Sequence, residues 1–525
     1  MARSRTSRTG GPAGRQTRAD PARKAAYDVL AAVSQRDAYA NLLLPALLRD
    51  RGIQGRDAAL ATELTYGTLR AVGIYDAILG LCSDRPVDQL DPPVREVLRL
   101  GTHQLLATRV RSHAAVATSV DLAKDVAGMR PAGFVNAVLR RAGTRDLAEW
   151  LQIIAPDRAA DPEGHLAASY GYPRWIVEVF RDALGEVPGS GLTETEQALA
   201  AGNTRPRATL AAVPGLATPA ELAAGPGAAE ATRWSPLGAT IDGGDPAAIP
   251  AVAEGRAFVQ DEASQLVALA LAHAQPGPAS PAGPASLASL ASLRDENWLD
   301  LCAGPGGKAA VLGGLAAGRG AHLLASDARP HRARLARAHL RGLACQSPAD
   351  GSAADGSAAG QGRAGQGPVG QGRAGQSPVA VITADGRRGA WRPGTFGRVL
   401  ADVPCSGLGA LRRRPEARWR KTPDDVAGLG ALQRDLLGAA IDAARPGGVV
   451  AYVTCSPHQA ETLDVVRDVT GARDDVTLLD APELLSAVPG LPDVPDVRGA
   501  DPRTVQFWPH RHGTDAIFLA LLRRT

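Results

Sequence analysis

Two cysteines in the second half of the sequence stand in settings that suit covalent chemistry. Cys405 lies directly behind a proline in DVPCSGLG, three residues after Asp402, and Cys455 follows fifty residues later in VTCS. A thiolate is both a strong nucleophile and a workable leaving group, and a nearby carboxyl group can act as an acid or as a hydrogen-bonding partner. The residues alone do not say which cysteine attacks. The alternative interpretation is a pair of small buried hydrophobic side chains.

A glycine-rich stretch upstream, LDLCAGPGGKAA, follows a strand-like run and predicts a turn that opens a helix and binds a ligand through backbone N–H groups. It is not a P-loop, because Cys302 and Ala309 occupy the positions that require Gly and Ser or Thr. Gly304, Gly306 and Ala309 fit a dinucleotide fingerprint loosely. Asp327, about twenty residues further on, is placed to hold a ribose. That ribose could belong to a nicotinamide dinucleotide or to S-adenosylmethionine, so the motif alone leaves the cofactor open.

From Asn297 onward, apolar runs of strand length alternate with helical segments. This alternation predicts a parallel sheet with helices on both faces, and we expect the last run, AIFLALLRR, to be an edge strand. In an open α/β sheet, ligands bind beyond the carboxyl ends of the strands. The residues expected to gather at that edge are Cys302, Asp327, Asp385, Asp402 and Cys455. Two cysteines have no evident use in hydride transfer, but they suit methyl transfer to a pyrimidine carbon.

The remaining sequence divides by composition and periodicity. One part has helical periodicity throughout, one is mixed, and three stretches are too rich in small or polar residues to build a core. The predicted organisation is a disordered basic tail (1–20), an all-α domain (21–145), a linker and pre-catalytic subdomain (146–274), a flexible Pro/Ala/Ser insertion (275–296) and an α/β domain (297–525) with a disordered insertion (346–378).

Bulk properties exclude several classes of protein. The five cysteines are widely spaced without a CxxC pair, which argues against a disulfide framework or a structural zinc site and favours reduced thiols in the cytoplasm. We predict no metal, no membrane span and no secretory signal. The net charge is only +4, with a pI near 8.9, so a surface that binds nucleic acid must come from local clusters.

Together the motifs resemble those of the RsmB/NOP-type RNA cytosine-C5 methyltransferases. The matching segments are LDLCAGPGGK, ADGR, DVPCSGLG, VTCS and PHRHGTDAIFLALLRR, with FVQDEASQLVA before the catalytic core. ARKAAYDVL, ELTYGTLR and GFVNAVLRR resemble the NusB-type RNA-binding helical domain, and this arrangement is similar to that of the bacterial 16S rRNA enzymes. Gly304 and Val403 stand where many relatives have Ala, and His458 and Gln459 where relatives commonly have more acidic residues.

The resemblance implies a Rossmann-like class I S-adenosylmethionine-dependent methyltransferase core behind the NusB-like domain, acting on RNA, most notably 16S rRNA. It implies that Cys455 attacks cytosine C6, that Cys405 assists product release and that Asp402 contacts N3. The implied S-adenosylmethionine-binding residues are Cys302, Ala303, Gly304, Pro305, Gly306, Gly307, Lys308, Asp327, Asp385 and Asp402.

A basic loop, ALRRRPEARWRK, follows the Asp402/Cys405 motif. It carries a single acid, Glu416, and one tryptophan that can stack on an unpaired base. The residues predicted to bind RNA are Arg412, Arg413, Arg414, Arg418, Trp419, Arg420 and Lys421. A solvated charged loop is the alternative. Rival functions are a tRNA cytosine-C5 methyltransferase, a non-catalytic RNA-binding or antitermination factor, and a nucleotide-dependent oxidoreductase. The sequence does not predict the oligomeric state.

Overall fold

The computed structural model describes residues 19–188, 191–224, 230–277, 296–344 and 377–525. The chain forms two compact units. The first comprises the residues up to Arg174 together with Arg414–Glu416, and the second comprises Trp175–Arg413 and Ala417–Thr525. The predicted basic tail and both predicted insertions lie, apart from a few residues at their edges, outside the described residues.

The first unit is helical, as the periodicity of its sequence predicts. Its α-helices are α1 (Pro21–Arg36), α2 (Ala40–Asp50), α3 (Gly55–Arg70), α4 (Val72–Cys82), α5 (Pro92–Ala107), α6 (Ser112–Ala127), α7 (Ala132–Ala142), α8 (Leu147–Ile154) and α9 (Pro162–Tyr170). The unit continues past residue 145 because α8 packs on α4 and on α9, and its Trp150 reaches the last residue of α7. The buried Trp150 donates a hydrogen bond from Nε1 to the Ala142 carbonyl oxygen, at 2.8 Å.

The second unit begins at Trp175, the second residue of α10 (Arg174–Leu184). This helix and α11 (Thr193–Asn203) lead into a small antiparallel sheet of order β2-β3-β1-β4. Its elements are β1 (Ala208–Ala212), α12 (Pro219–Ala223), β2 (Glu230–Ala231), β3 (Gly238–Ile241), α13 (Pro250–Ala253), β4 (Ala257–Val259) and α14 (Glu262–His273). Nearly every residue of α14 is buried, because this Ala/Leu-rich helix packs on the main sheet of the unit.

The main sheet has the order β10-β12-β9-β8-β5-β6-β7, with β11 paired to β12. Its strands are β5 (Asn297–Asp300), β6 (His322–Asp327), β7 (Val379–Thr383), β8 (Phe396–Asp402), β9 (Ala444–Thr454), β10 (Val476–Leu478), β11 (Val505–Gln506) and β12 (Phe518–Arg524). The helices between them are α15 (Gly307–Ala317), α16 (Pro330–His339), α17 (Arg341–Ala344), α18 (Pro423–Ala443), α19 (Leu463–Gly471), α20 (Ala481–Ser486) and α21 (Pro509–His512). Strands β5 to β9 are parallel, which confirms the predicted α/β core.

The prediction that AIFLALLRR forms an edge strand is wrong. Strand β12 lies between β9 and β10 and is antiparallel to both. The five residues from Phe518 to Leu522 are all buried, because their side chains pack alternately into the cores on the two faces of the sheet. An edge position would leave one side of this apolar strand without a neighbour.

The order of the strands creates a crevice at their carboxyl ends. From β5 the chain moves outward to β6 and β7, then crosses back to β8 on the other side of β5. Such a switch point is where open α/β sheets bind ligands. It places the loop after β5 next to the loop after β8. No helix in the described ranges is both long and apolar enough to span a membrane.

Candidate active site

The glycine loop joins β5 to α15 and lies at the switch point. Gly306 is the N-terminal cap of α15 with φ +121°, a conformation that side chains disfavour. A Cβ added at Gly306 would lie 2.9 Å from the Cα of Ala336 on α16. The close approach of α16 and this backbone conformation therefore both require glycine.

Asp327, at the end of β6, lies beside the glycine loop, as the ribose-binding prediction requires. Its Oδ2 accepts a hydrogen bond from the Gly304 amide at 3.0 Å, and its Oδ1 accepts one from the Arg329 amide at 2.8 Å. The carboxylate is buried and fixed by backbone donors. Its role toward a cofactor stays a prediction.

An ion pair connects the glycine loop to β8. Lys308 Nζ donates to Asp402 Oδ2 at 2.8 Å. Burial alone would lower the pKa of Lys308, but the Asp402 carboxylate outweighs burial and raises it, with a weaker contribution from Cys455. Lys308 therefore stays charged and holds the Asp402 carboxylate at the mouth of the crevice.

Asp300 is a site residue that the sequence analysis missed. It ends β5 and is 1% exposed, and its Oδ1 is buried without a hydrogen-bond partner among the described residues. Burial, followed by the charge of Asp402, raises the pKa of Asp300 to about 8. The only signal in the sequence was an acid at the end of an apolar strand, directly before the glycine loop.

The two cysteines predicted to react are in direct contact. Cys405 Sγ and Cys455 Sγ are 3.1 Å apart, and both are free thiols. The hydrogen bond with Cys455 and burial raise the pKa of the Cys405 thiol well above its usual value. Cys302 is also largely withdrawn from solvent, and burial followed by the charge of Asp300 raises the pKa of its thiol. The fold thus brings two thiols together from loops fifty residues apart.

Glu461 holds the two cysteine loops together, and the sequence analysis did not find it. Its buried carboxylate accepts hydrogen bonds from the Ser406 amide at 2.7 Å, from the Ser406 hydroxyl and from Gln433 Nε2 at 3.2 Å. The Ser406 hydroxyl also lies 3.2 Å from the hydroxyl of Ser456, next to Cys455. A carboxylate with several donors is a strong anchor for two loops.

Asp385 stands apart from this network. It follows β7, and its partly exposed carboxylate pairs with Arg387 at 2.7 Å. Hydrogen bonds from the Arg387 side chain and backbone lower the pKa of Asp385. Its predicted contact with a cofactor stays a prediction.

The basic loop is only partly available to RNA. Arg412 donates to the carboxylates of Asp261 and Asp515 and to the Gly513 carbonyl, so its guanidinium is fully engaged. Arg418 is 0% exposed and donates to the Gly202 carbonyl oxygen. The prediction that these two arginines contact RNA is therefore wrong, because both stabilise the fold.

The other residues of the basic loop keep exposed surface. Arg413 also pairs with Asp515, yet its side chain is 40% exposed. Arg414 and Trp419 are exposed, and Arg420 and Lys421 are half-buried. RNA binding by these five residues stays a prediction.

The carboxylates behind the loop form a coupled buried pair. Asp515 N donates to Asp261 Oδ1 at 3.1 Å. Burial and the neighbouring Asp515 raise the pKa of Asp261. Although burial opposes it, Arg413 and Arg412 lower the pKa of Asp515. This network ties the FVQDEASQ and GTDAIF segments to the loop that follows Cys405.

Comparisons with known proteins agree with this arrangement. A family model described as 16S rRNA methyltransferase RsmB/F matches residues 287–366 and 358–523, which include the glycine loop and both cysteines. "Putative methyltransferase Rv1407" of Mycobacterium tuberculosis is 47% identical over 522 residues, 99% of each chain. "Ribosomal RNA small subunit methyltransferase B" of Pseudomonas putida is 30% identical over 455 residues, 85% of this chain and 88% of the relative.

The chain belongs to the RsmB/F family of methyltransferases. As an RsmB/F member it is an S-adenosylmethionine-dependent RNA methyltransferase. The NusB family model matches residues 20–143, which confirms the predicted NusB-like domain. The solved structure of PH0851 is 20% identical, covers 96% of this chain and 99% of its own, and has a TM-score of 0.70, in agreement with the fold.

The site can hold the family's cofactor. The glycine loop lies at the switch point of the sheet, and Asp327 accepts a hydrogen bond from its Gly304 amide. Asp300, whose buried Oδ1 has no hydrogen-bond partner among the described residues, ends β5 directly before the loop. S-adenosylmethionine carries ribose hydroxyls, which can donate to a carboxylate such as Asp327, and an ammonium group, which can donate to the unsatisfied oxygen of Asp300. Among the described residues, no group of three or more acids, histidines and cysteines could hold a metal ion.

Proposed function

We propose that this RsmB/F methyltransferase methylates C5 of a cytosine in 16S rRNA through a covalent bond between Cys455 and C6. The observation that carries the proposal is the 3.1 Å contact between the thiols of Cys405 and Cys455 beside the Lys308–Asp402 ion pair. An acid, a cation and two thiols at one crevice suit nucleophilic catalysis on a pyrimidine.

Cytosine C5 is a poor nucleophile until the ring is activated. The Cys455 thiolate adds to C6, breaks the aromatic conjugation and makes C5 enamine-like. Asp402, positioned by Lys308, enters the addition step in its protonated form and donates that proton to N3, where negative charge develops. When bound in the glycine loop near Asp300 and Asp327, S-adenosylmethionine supplies the electrophilic methyl group. Transfer of the C5 proton to solvent, return of the N3 proton to Asp402 and cleavage of the S–C6 bond then restore the ring and free Cys455 as a thiolate.

The electrostatics favour Cys455 as the nucleophile. The raised pKa of Cys405, due to its hydrogen bond with Cys455 and to burial, keeps its proton on. Two cations, Lys308 and Arg413, interact with the charge of Cys455. A thiol donor on one side and cations on the other stabilise a thiolate. Cys405 is then placed to assist the release of the methylated base.

The substrate assignment rests on other features. The Pseudomonas putida relative is named as a small-subunit rRNA methyltransferase, and the NusB-like domain suits RNA. Exposed Arg414 and Trp419, with Arg420 and Lys421, are proposed to contact the RNA around an unstacked base. Because the proposed substrate is ribosomal RNA, we propose that the protein acts in the cytoplasm. A tRNA is the rival substrate, and bisulfite sequencing of rRNA and tRNA from cells with and without the protein distinguishes the two.

A covalent mechanism predicts different outcomes for substitution of the two cysteines. Cys455→Ala removes the nucleophile, so we expect neither methylation nor a protein–RNA adduct. Cys405→Ala still allows attack and methyl transfer, so we expect the product to stay attached and adduct to accumulate on denaturing gels. Cys82→Ala, in the helical unit, is the matched control and should behave as wild type. Adduct in Cys455→Ala and none in Cys405→Ala would reverse the assignment, and full methylation by both variants would refute the covalent route.

A further inference from the structure

Helix α16, the turn before it and the short helix α17 after it carry a concentration of arginine that the reaction does not explain. Residues 328–344 contain five arginines and two histidines but no aspartate or glutamate. The whole chain has 58 Lys and Arg against 54 Asp and Glu, so without this segment the count would be 53 against 54. The segment is therefore a local basic cluster in a nearly neutral chain.

One face of α16 packs on the cofactor loop. Arg332 donates from Nη2 to the Gly304 carbonyl oxygen, and His339 Nδ1 lies 2.7 Å from the Pro305 carbonyl oxygen. Ala336, between them on the same face, is fully buried at the point where Gly306 approaches. The spacing of these residues, 332, 336 and 339, is that of a single helical face.

Several basic residues of the segment have exposed side chains. We call four of them the basic face: Arg329, His331, Arg334 and Arg341. Arg337 is not part of it, because its guanidinium donates to the Val381 carbonyl oxygen on β7. Within the described part of the chain, none of the three arginines of the basic face has an acidic partner.

This lack of acidic partners distinguishes the basic face from the ion-paired arginines elsewhere on the unit. Other surface arginines there pair with acids: Arg434 with Asp468, Arg473 with Asp442, Arg503 with Asp501 and Arg498 with Asp480. Arginines that share a face without carboxylates repel one another and are best neutralised by an external polyanion. Guanidinium groups also suit phosphate geometry.

We propose that the basic face binds the phosphate backbone of the RNA substrate, on the cofactor side of the active site. The proposal rests on the proposed function, because the polyanion it names is the RNA that the enzyme methylates. Arg329 caps α16 and Arg334 lies on it, and this helix packs on Gly304 and Pro305, so RNA bound there lies next to the glycine loop. Arg341 extends the face into α17. The contacts are to phosphates and not to bases, so they position the RNA without selecting its sequence.

The test is the salt dependence of RNA binding. Arg334→Gln with Arg341→Gln removes two cations of the basic face. With an unmodified 16S rRNA transcript, we expect about tenfold weaker binding. The slope of log K against log salt should be smaller by about 0.7–0.9 for each phosphate that the variant no longer neutralises. The affinity for S-adenosylmethionine, measured by calorimetry, should stay within about twofold of wild type, which shows that the fold and the cofactor loop are intact.

Two further variants control for charge and for position. Arg334→Lys with Arg341→Lys keeps both charges and should retain most of the affinity. Arg498→Gln with Arg503→Gln removes two charges near β11, which pairs with β12 far along the sheet from β7, and should leave the slope unchanged. The proposal is overturned if Arg334→Gln with Arg341→Gln leaves the salt slope unchanged. It is also overturned if Arg498→Gln with Arg503→Gln reduces the slope by the same amount. A wild type that binds but never methylates rRNA would instead refute the proposed function.

Discussion

Glu461 shows how a side chain outside the reaction can set the geometry of reacting groups. Its carboxylate accepts hydrogen bonds from Ser406 and Gln433, and so fixes the loop of Cys405 relative to that of Cys455. Glu461→Gln replaces an acceptor oxygen with an amide donor that faces other donors. We expect a loss of about 2 kcal/mol in unfolding free energy, as for a hydrogen bond to a charged group.

The kinetics separate a positioning role from a purely structural one. At a temperature where Glu461→Gln remains folded, kcat should fall while the affinity for S-adenosylmethionine stays unchanged. Glu483→Gln, an exposed glutamate on α20, is the matched control and should change neither quantity. A destabilised Glu461→Gln with normal kcat would show that the spacing of the thiols does not depend on this carboxylate.

Asp300 should make the stability of the folded protein fall as the pH rises. Its folded pKa is about 8, whereas an aspartate in an unfolded chain has a pKa near 3.9. As pH rises between these values the unfolded chain loses the proton first, so the stability of the folded state falls across this window and levels off above pH 8. Asp300→Asn removes this dependence. The difference in Tm between variant and wild type should therefore grow from about pH 4 to about pH 8, and a constant difference would contradict a buried neutral Asp300.

At the residue scale, the sequence identifies groups with a characteristic local setting and misses those defined by distant partners. Cys405, Cys455 and Asp327 stand in recognisable motifs, and the structure places them at the predicted crevice. Glu461 could not be found, because its main partner, Ser406, is 55 residues away. Arg418 was misassigned for a related reason, since a basic loop does not show which of its arginines turns inward to a carbonyl such as that of Gly202.

At the scale of elements, the glycine loop depends on how α16 packs against it. Gly306→Ala places a Cβ 2.9 Å from Ala336 Cα in a backbone with φ +121°. We expect a cost of about 1–3 kcal/mol and at least a tenfold loss of S-adenosylmethionine affinity, measured by calorimetry. Gly428→Ala is the control. It lies on the exposed side of α18 with open space at its Cβ, and should stabilise the fold by about 0.5–1 kcal/mol.

The sequence predicts which segments form strands and helices better than it predicts which strands lie next to each other in the sheet. The runs that form β5 to β9 were identified because apolar strands alternate with helices, and this alternation also gives the parallel direction. The same pattern does not fix the order of strands. The sequence AIFLALLRR is compatible with an edge strand and with an interior strand. Only the antiparallel pairing of this strand with both β9 and β10 shows that it lies inside the sheet.

At the scale of the whole molecule, the low-complexity segment between α17 and β7 tests how much of the chain the fold needs. It lies outside the described residues, and its Gly/Gln/Ala/Ser repeats can bury little surface. Deletion of 349–375 should leave Tm and the methylation rate of the purified protein close to wild type. A large loss of methylation with an unchanged Tm would show that the segment takes part in function.

The interior position of β12 also shapes how the chain reaches its native state. Until residues Phe518–Arg524 have been translated, β9 has an open edge and β10 has no neighbouring strand. During that interval the nascent sheet exposes unpaired backbone groups and apolar side chains, which are hazards for aggregation. The pairing of β12 with β9 also joins segments about 70 residues apart, and such non-local contacts slow folding. The enzyme is therefore expected to depend on chaperones during synthesis more than a protein whose sheet closes in sequence order.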